Sequence, residues 1–414
     1  MRILKIVWIS CYCLFVVLVT YFDFISHRQR TYWPGLRDII VLTFFLGVIL
    51  FVFRLRIIEA VAAFFQPTHP KPDNIEWINN LRVVALFAVI ILHTASLLLM
   101  QYNKVPLSDW LASDLYNALS RFAVPVFVMI SGALLLNREY ELGDFLKKRL
   151  TRIIWPFLFW SLVYIGYGWY DEELAFTGDV WHNITLVLHQ LKYGAYYHLW
   201  YVYMLIGLYL IIPIISRFVR NAKEKEIQYF LVVWFVVIAF TQPYLSRFWP
   251  QVDVRYFTGY IGYLVLGYYL ANKELPQKGL NLPLWIFYIL CLGGIIVGTY
   301  FISVNTNSLS TLMYEPLGPF VILYASGIFL LARVTAFRLP ALLIRLRDIA
   351  GNYSLGIYLC HALFLTLMDD WGISYKLCNP YISIPVTAAV CFILSFVLIF
   401  ILSKIPLIGK YLAG

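Results

Sequence analysis

Apolar runs of about twenty residues, separated by short polar loops, recur along most of this sequence. When helical, a run of that length matches the hydrocarbon thickness of a bilayer. None shows the period-two alternation of a membrane barrel strand. Inside lipid every backbone polar group needs a partner within the protein, so a chain built from such runs folds as a bundle of helices. Composition matters here only as a check: 62% of the 414 residues are apolar and 13% are charged, well outside the range of soluble domains. The expected fold class is therefore an all-α polytopic membrane protein.

The runs fall at about 3–22 and 39–53, then at 78–100, 120–137, 153–170, 198–216, 227–242, 256–271, 282–302, 317–332, 350–368 and 382–402. That gives about twelve transmembrane helices. A loop carrying Pro67, Pro70 and Pro72 sets the first pair apart. The expected division is an N-terminal helical pair with its linker, 1–70, and a ten-helix membrane domain, 71–414. The first run follows Arg2 and Lys5 but leads into no small-residue cleavage pattern, so it reads as an uncleaved helix.

The net charge of +10 could point to nucleic acid, but the basic residues gather in alternate loops. Arg138, Lys147, Lys148, Arg149 and Arg152 lie in one loop region, and Asp171, Glu172, Glu173 and Asp179 in the next. This is the positive-inside pattern of a membrane protein, and it places both termini in the cytoplasm. Arg28, Arg30 and Arg37, in the first outer loop, run against it. No nucleic-acid partner is expected. Five of the six cysteines fall in apolar runs, so neither a disulfide framework nor a metal site is expected. The two halves show no internal repeat of the kind common in transporters.

Within the third run, ten residues separate Arg82 from His93. Eleven helical steps close slightly more than three turns, so both side chains share a face about 16 Å apart along the axis. An arginine near the centre of a lone transmembrane helix costs roughly 2.5–3.5 kcal/mol on insertion scales, which points that face toward protein or water. Singly, Arg82 reads as a side chain snorkelling to the surface, and His93 as an interhelical hydrogen-bonding group. Their common face is what favours a site. No run carries an aspartate or glutamate away from its ends, so proton chemistry at depth is expected to fall to histidine.

Four further stretches place polar groups in or beside the membrane. The span from Ser120 to Gly132 carries Arg121 at its expected outer edge, Pro125, and Ser131–Gly132, which also reads as a small-residue packing notch. Arg149 and Arg152 stand at a helix mouth, as a topology anchor or as planar forks for phosphate. His198 and Trp200 begin another helix in an aromatic segment. Finally, Tyr353, Ser354, Tyr358 and His361 fall within three turns, and Ser354, Tyr358 and His361 recur at i, i+4 and i+7 on one face.

Taken in order, these stretches resemble the integral-membrane acyltransferase type three family over residues 75–403. The resemblance rests on Arg82 and His93, the Arg121-to-Gly132 stretch, Arg149 with Arg152, His198 to Tyr201, and Tyr353 to His361. It implies an acyl-CoA-dependent O-acyltransferase of a bacterial cytoplasmic (inner) membrane. The donor would be acyl-CoA, most commonly acetyl-CoA, with no metal. The acceptor would be a hydroxyl of a surface polysaccharide or lipid-linked sugar. Membrane lipids and polysaccharide-synthesis machinery are the implied partners. His93 would act as general base with Arg82 in the site, Arg149 and Arg152 would hold the coenzyme, and Arg121, Ser131, His198, Trp200, Tyr353, Ser354, Tyr358 and His361 would support substrate or site. A covalent route through Ser354 or Cys360 lacks an evident base beside either nucleophile. The two helices ahead of the core depart from the simplest ten-helix pattern. Two other readings stand beside it: a glycolipid exporter or flippase that uses the same polar cavity without making a bond, and a membrane scaffold in a polysaccharide-synthesis complex whose histidines only fix packing.

Overall fold

The computed structural model describes residues 73–240, 242, 259–275, 280–335, 339–405 and 409. Contacts divide the chain into two compact units, 1–67 with 404–406, and 68–403 with 407–414. The expected N-terminal helical pair lies outside the described residues. Among those residues the regular structure is entirely helical. Among the described residues seven helical segments are long and apolar enough to cross a membrane: Glu76–Leu99, Leu107–Leu135, Leu142–Tyr170, Tyr197–Asn221, Asn281–Thr306, Leu312–Val334 and Pro380–Leu402.

In chain order the helices are α1 (Asp73–Leu99), α2 (Leu107–Ser120), α3 (Ala123–Leu135), α4 (Leu142–Tyr170), α5 (Val180–Tyr193), α6 (Trp200–Asn221), α7 (Glu224–Phe240), α8 (Ile261–Asn272), α9 (Asn281–Thr306), α10 (Pro319–Val334), α11 (Ala341–Asn352), α12 (Ser354–Asp370) and α13 (Pro380–Leu402). Short 3-10 turns at Tyr197–Leu199 and Leu312–Tyr314 lead toward α6 and α10. The helix that carries Arg82 and His93 is the hub: α1 packs on α2, α3, α10, α11, α12 and α13. Its sequence accounts for this. Leu81, Ala85, Leu86, Ala88, Val89, Ile90, Ala95 and Leu98 are buried, so apolar residues wrap most of its circumference and the alanines let neighbours approach.

A second close contact joins α3 to α8. A Cβ placed on Gly132 would lie 1.9 Å from the carbonyl oxygen of Leu264, and one on Gly267 would lie 2.1 Å from that of Met129. The backbones touch because neither glycine has a side chain. The expected notch at Ser131–Gly132 is thus a helix-to-helix contact.

The structure corrects the second core span. Instead of starting at 120, it runs from Leu107 to Leu135 over 29 residues and is interrupted at Arg121–Phe122. Asp109, Asp114 and Asn117 made the α2 stretch look like a loop. With it falls the expectation that no carboxylate lies within a span, because Asp114 is fully buried in α2. Arg121 accordingly stands at an interruption inside the span and not at its edge. The run at 350–368 is likewise broken, at Tyr353, between α11 and α12. The acidic loop after α4 contains α5, whose start is capped by the Asp179 carboxylate accepting from the Trp181 N–H at 2.9 Å.

Candidate functional site

The stripe on α1 joins two environments. At its first end, Arg82 donates to the Asn79 side chain at 3.5 Å and lines a cavity of about 290 Å³. Arg138, Arg149 and Arg152 share that cavity, so four guanidinium groups face one space. Helix α4 delivers Arg149 and Arg152 because its first turns are polar, and three residues bring both side chains to the same flank. Apolar and aromatic side chains of α3 and α6, among them Phe127 and Tyr201, also line it. It reaches Ser131, Ser354 and Tyr358.

Immediately beyond Tyr358 is a cluster of rings. The expected face of α12 holds: Ser354 and Tyr358 line the cavity, and His361, a turn later, lies fully buried in the cluster. Its ring centroid is 5.3 Å from that of His93 and 5.1 Å from that of His198. Tyr358 lies 5.4 Å from His198 and 5.5 Å from His361. Tyr197 packs its ring 4.9 Å from that of His93. Three histidines from separate parts of the sequence, α1, the turn before α6, and α12, therefore meet at one level.

Backbone carbonyls fix two of these rings. Nε2 of His198 lies 3.2 Å from the Leu359 carbonyl oxygen, and Nδ1 of His361 is bonded to the Tyr358 carbonyl oxygen. A carbonyl only accepts, so each of those nitrogens carries the hydrogen in a neutral ring. The opposite nitrogens, Nδ1 of His198 and Nε2 of His361, are buried lone pairs without a partner. The Tyr358 hydroxyl donates to the His198 carbonyl, and the Tyr164 hydroxyl donates to that of Leu359 at 2.7 Å while accepting from the Leu363 N–H at 3.1 Å. This lattice ties the 3-10 turn to α12. His93 is partly exposed and makes no hydrogen bond among the described residues.

One turn beyond His93 a second polar layer begins. Ser96 donates to Asn117 at 3.3 Å, and Arg121 donates to the same side-chain oxygen at 2.8 Å. The Arg121 guanidinium sits 4.2 Å from the Tyr314 ring centroid, and the Tyr314 hydroxyl donates to Asp114. Sequence reading missed Ser96, Asp114, Asn117 and Tyr314. Yet Asp114, Asn117 and Arg121 recur at i, i+3 and i+7, a helical stripe that marks α2 as more than a loop. It missed Tyr209 in the cavity as well, gave Arg138 only a part in the loop-charge pattern, and held Tyr201 only as part of the His198-to-Tyr201 stretch.

Two expected site residues stand apart from this arrangement. Trp200 is 43% exposed and packs on Tyr201 and Tyr260. Tyr353 accepts from Ser403 at 3.0 Å and places its ring near Phe400, at the junction of α11 with α13. The Cys360 thiol lies against the carbonyls of Ile357 and Ser395, which leaves it among packing contacts.

A family model described as an acyltransferase domain matches residues 75–404. No curated protein and no solved structure matches the chain.

Proposed function

Since the chain belongs to the acyltransferase 3 family over most of its length, we propose that this integral membrane acyltransferase moves an acetyl group from acetyl-CoA to a hydroxyl of a cell-surface polysaccharide or of its lipid-linked precursor. The observation that carries the reading is the cavity, with four arginines at one end and Tyr358 at the other, directly below the His93, His198 and His361 rings. Guanidinium forks suit the coenzyme phosphates. The apolar and aromatic side chains of α3 and α6 that line the cavity suit the pantetheine arm, and the three turns between Arg82 and His93 amount to about 16 Å of reach. The positive-inside pattern of the loop charges supports a cytoplasmic arginine mouth, on the side where acyl-CoA is made.

At the ring cluster His93 takes the proton of the acceptor hydroxyl while its oxygen attacks the thioester carbonyl. The C–S bond then breaks, and the departing thiolate recovers that proton from His93, leaving an O-acyl ester and free coenzyme thiol. General-base assistance of this kind contributes roughly 10²–10⁴-fold. The acceptor approaches from the opposite side, where the partly exposed Ser96 and Arg121, held by the buried Asn117, lie near the base.

Mass spectrometry of surface carbohydrate from matched cells with and without the protein tests this. A regular mass increment of one acetyl group per modified unit is expected. A carbohydrate that is exported to a different extent but carries no added mass would replace the enzyme reading with a transport one.

A further inference from the structure

We propose that α5 is a membrane-surface helix, lying in the lipid headgroup region on the face of the bilayer opposite the arginine end of the cavity, with Trp181, Ile184 and Leu188 turned into the acyl chains. This placement is independent of the acyl-transfer reading.

Wound at about 100° per residue, the sequence of α5 sorts into three sectors. Val180, Trp181, Ile184 and Leu188 share the first, and all four are exposed, Trp181 by 75% and Leu188 by 59%. Thr185, His189 and Lys192, exposed as well, share the second. The third holds the half-buried Asn183 and Gln190. Since α5 rests on α4, that third sector is the one turned to the protein, with an apolar flank on one side of it and a polar flank on the far side of that. No residue of the helix is buried. Fourteen residues make a marginal helix in water unless an amphipathic face finds a surface, so the apolar flank needs a cover.

Continuity with the lipid-facing side of α4 identifies that cover. Leu162 and Trp169 stand seven residues apart, on one face of a membrane-spanning helix, and both are exposed. Trp169 comes just before Asp171, Glu172 and Glu173, which marks the membrane surface, where tryptophan gathers. The chain stays at that level. The Leu174 N–H donates to the Gly168 carbonyl at 2.8 Å, and the Phe176 ring lies 6.3 Å from that of Trp169. At the other end of α5 the Tyr203 hydroxyl donates to the Leu191 carbonyl, and Gly194, at a φ of 100°, turns the chain into the 3-10 turn at Tyr197–Leu199. That turn opens the next spanning segment, Tyr197–Asn221. Helix α5 thus begins where one span leaves the bilayer and ends where the next enters it. At about 1.5 Å per residue it is about 21 Å long, too short to cross a hydrocarbon core of about 30 Å, so it runs along the surface. Lys192 is its only lysine or arginine, so apolar burial and not headgroup charge holds it there.

Spin labels on the full-length protein in phosphatidylcholine bilayers test the placement. Trp181→Cys, Ile184→Cys and Leu188→Cys sample the apolar flank, and Thr185→Cys, His189→Cys and Lys192→Cys the polar one. All are made in Cys378→Ser, which removes the exposed cysteine of the described residues, and the signal of that background is subtracted. Each label of the first group should be more accessible to oxygen relative to a water-soluble nickel complex than every label of the second. Nickel access at all six positions would put α5 in water and overturn the proposal. Immobilised labels on the apolar flank, closed to both reagents, would put a protein there and overturn it too. A measurement without labels compares the tryptophan fluorescence of wild type and Trp181→Phe. Lipids brominated high in the acyl chain should quench the Trp181 contribution more than lipids brominated near its end, and a Trp181 contribution untouched by either lipid would also overturn the placement.

Discussion

Arg149 and Arg152 reach one cavity from successive turns of α4, and Arg82 and Arg138 face them across it. A hydrogen bond to a charged group is worth about 1.5–3 kcal/mol, so Arg149→Ala with Arg152→Ala should weaken coenzyme A binding by at least about tenfold. Calorimetry on the folded double variant checks this; unchanged donor affinity would remove the phosphate role. His93 gives the complementary prediction. His93→Ala and His93→Gln should both bind acetyl-CoA nearly as wild type yet lose nearly all transfer, because glutamine preserves a hydrogen bond but accepts no proton near neutrality. Near wild-type turnover in the glutamine form would make His93 an orienting group. Arg82 and His93 were legible from sequence because ionisable residues are conspicuous in apolar runs. The relation of His93 to His361 was not, since they stand 268 positions apart in the sequence and only packing brings their rings together.

Among the elements, α3 and α8 depend on the absence of two side chains. Gly132→Ala or Gly267→Ala puts a methyl group within about 2 Å of a carbonyl oxygen on the facing helix, and the helices must separate. Overpacking of this kind typically costs 1–3 kcal/mol, so each variant should melt earlier in detergent, by about that free energy. Ser131, next to Gly132, lines the cavity, so Gly132→Ala should also slow transfer. Gly143→Ala, where a Cβ meets nothing within 4 Å, is the control that should melt as wild type. The long runs of α1, α6, α9 and α13 could be read from hydropathy within a few residues. Helix α2 could not, because Asp114 and Asn117 are paid for by partners far away in sequence, Tyr314 and Ser96, which no local pattern reveals.

For the whole molecule, the family match begins at residue 75, and the polar groups of the cavity and ring cluster come from α1 onward. Deleting residues 1–70 should therefore leave measurable transfer in membranes wherever the shortened chain inserts; an inserted but inactive form would assign those residues to the reaction. The alternation of loop charge was legible from the order of charged residues in the sequence, whereas the convergence of α1, α12 and the turn before α6 required the fold. The ring cluster at the end of the cavity has one more consequence under the proposed reading. Tyr197, Tyr358 and three imidazoles fill the space beyond the passage, so the thioester carbonyl can reach His93 only if little hydrocarbon hangs from it. The aromatic end wall is a gauge of chain length. On that reading each added methylene must displace a ring, and a short acyl group is the one expected to fit.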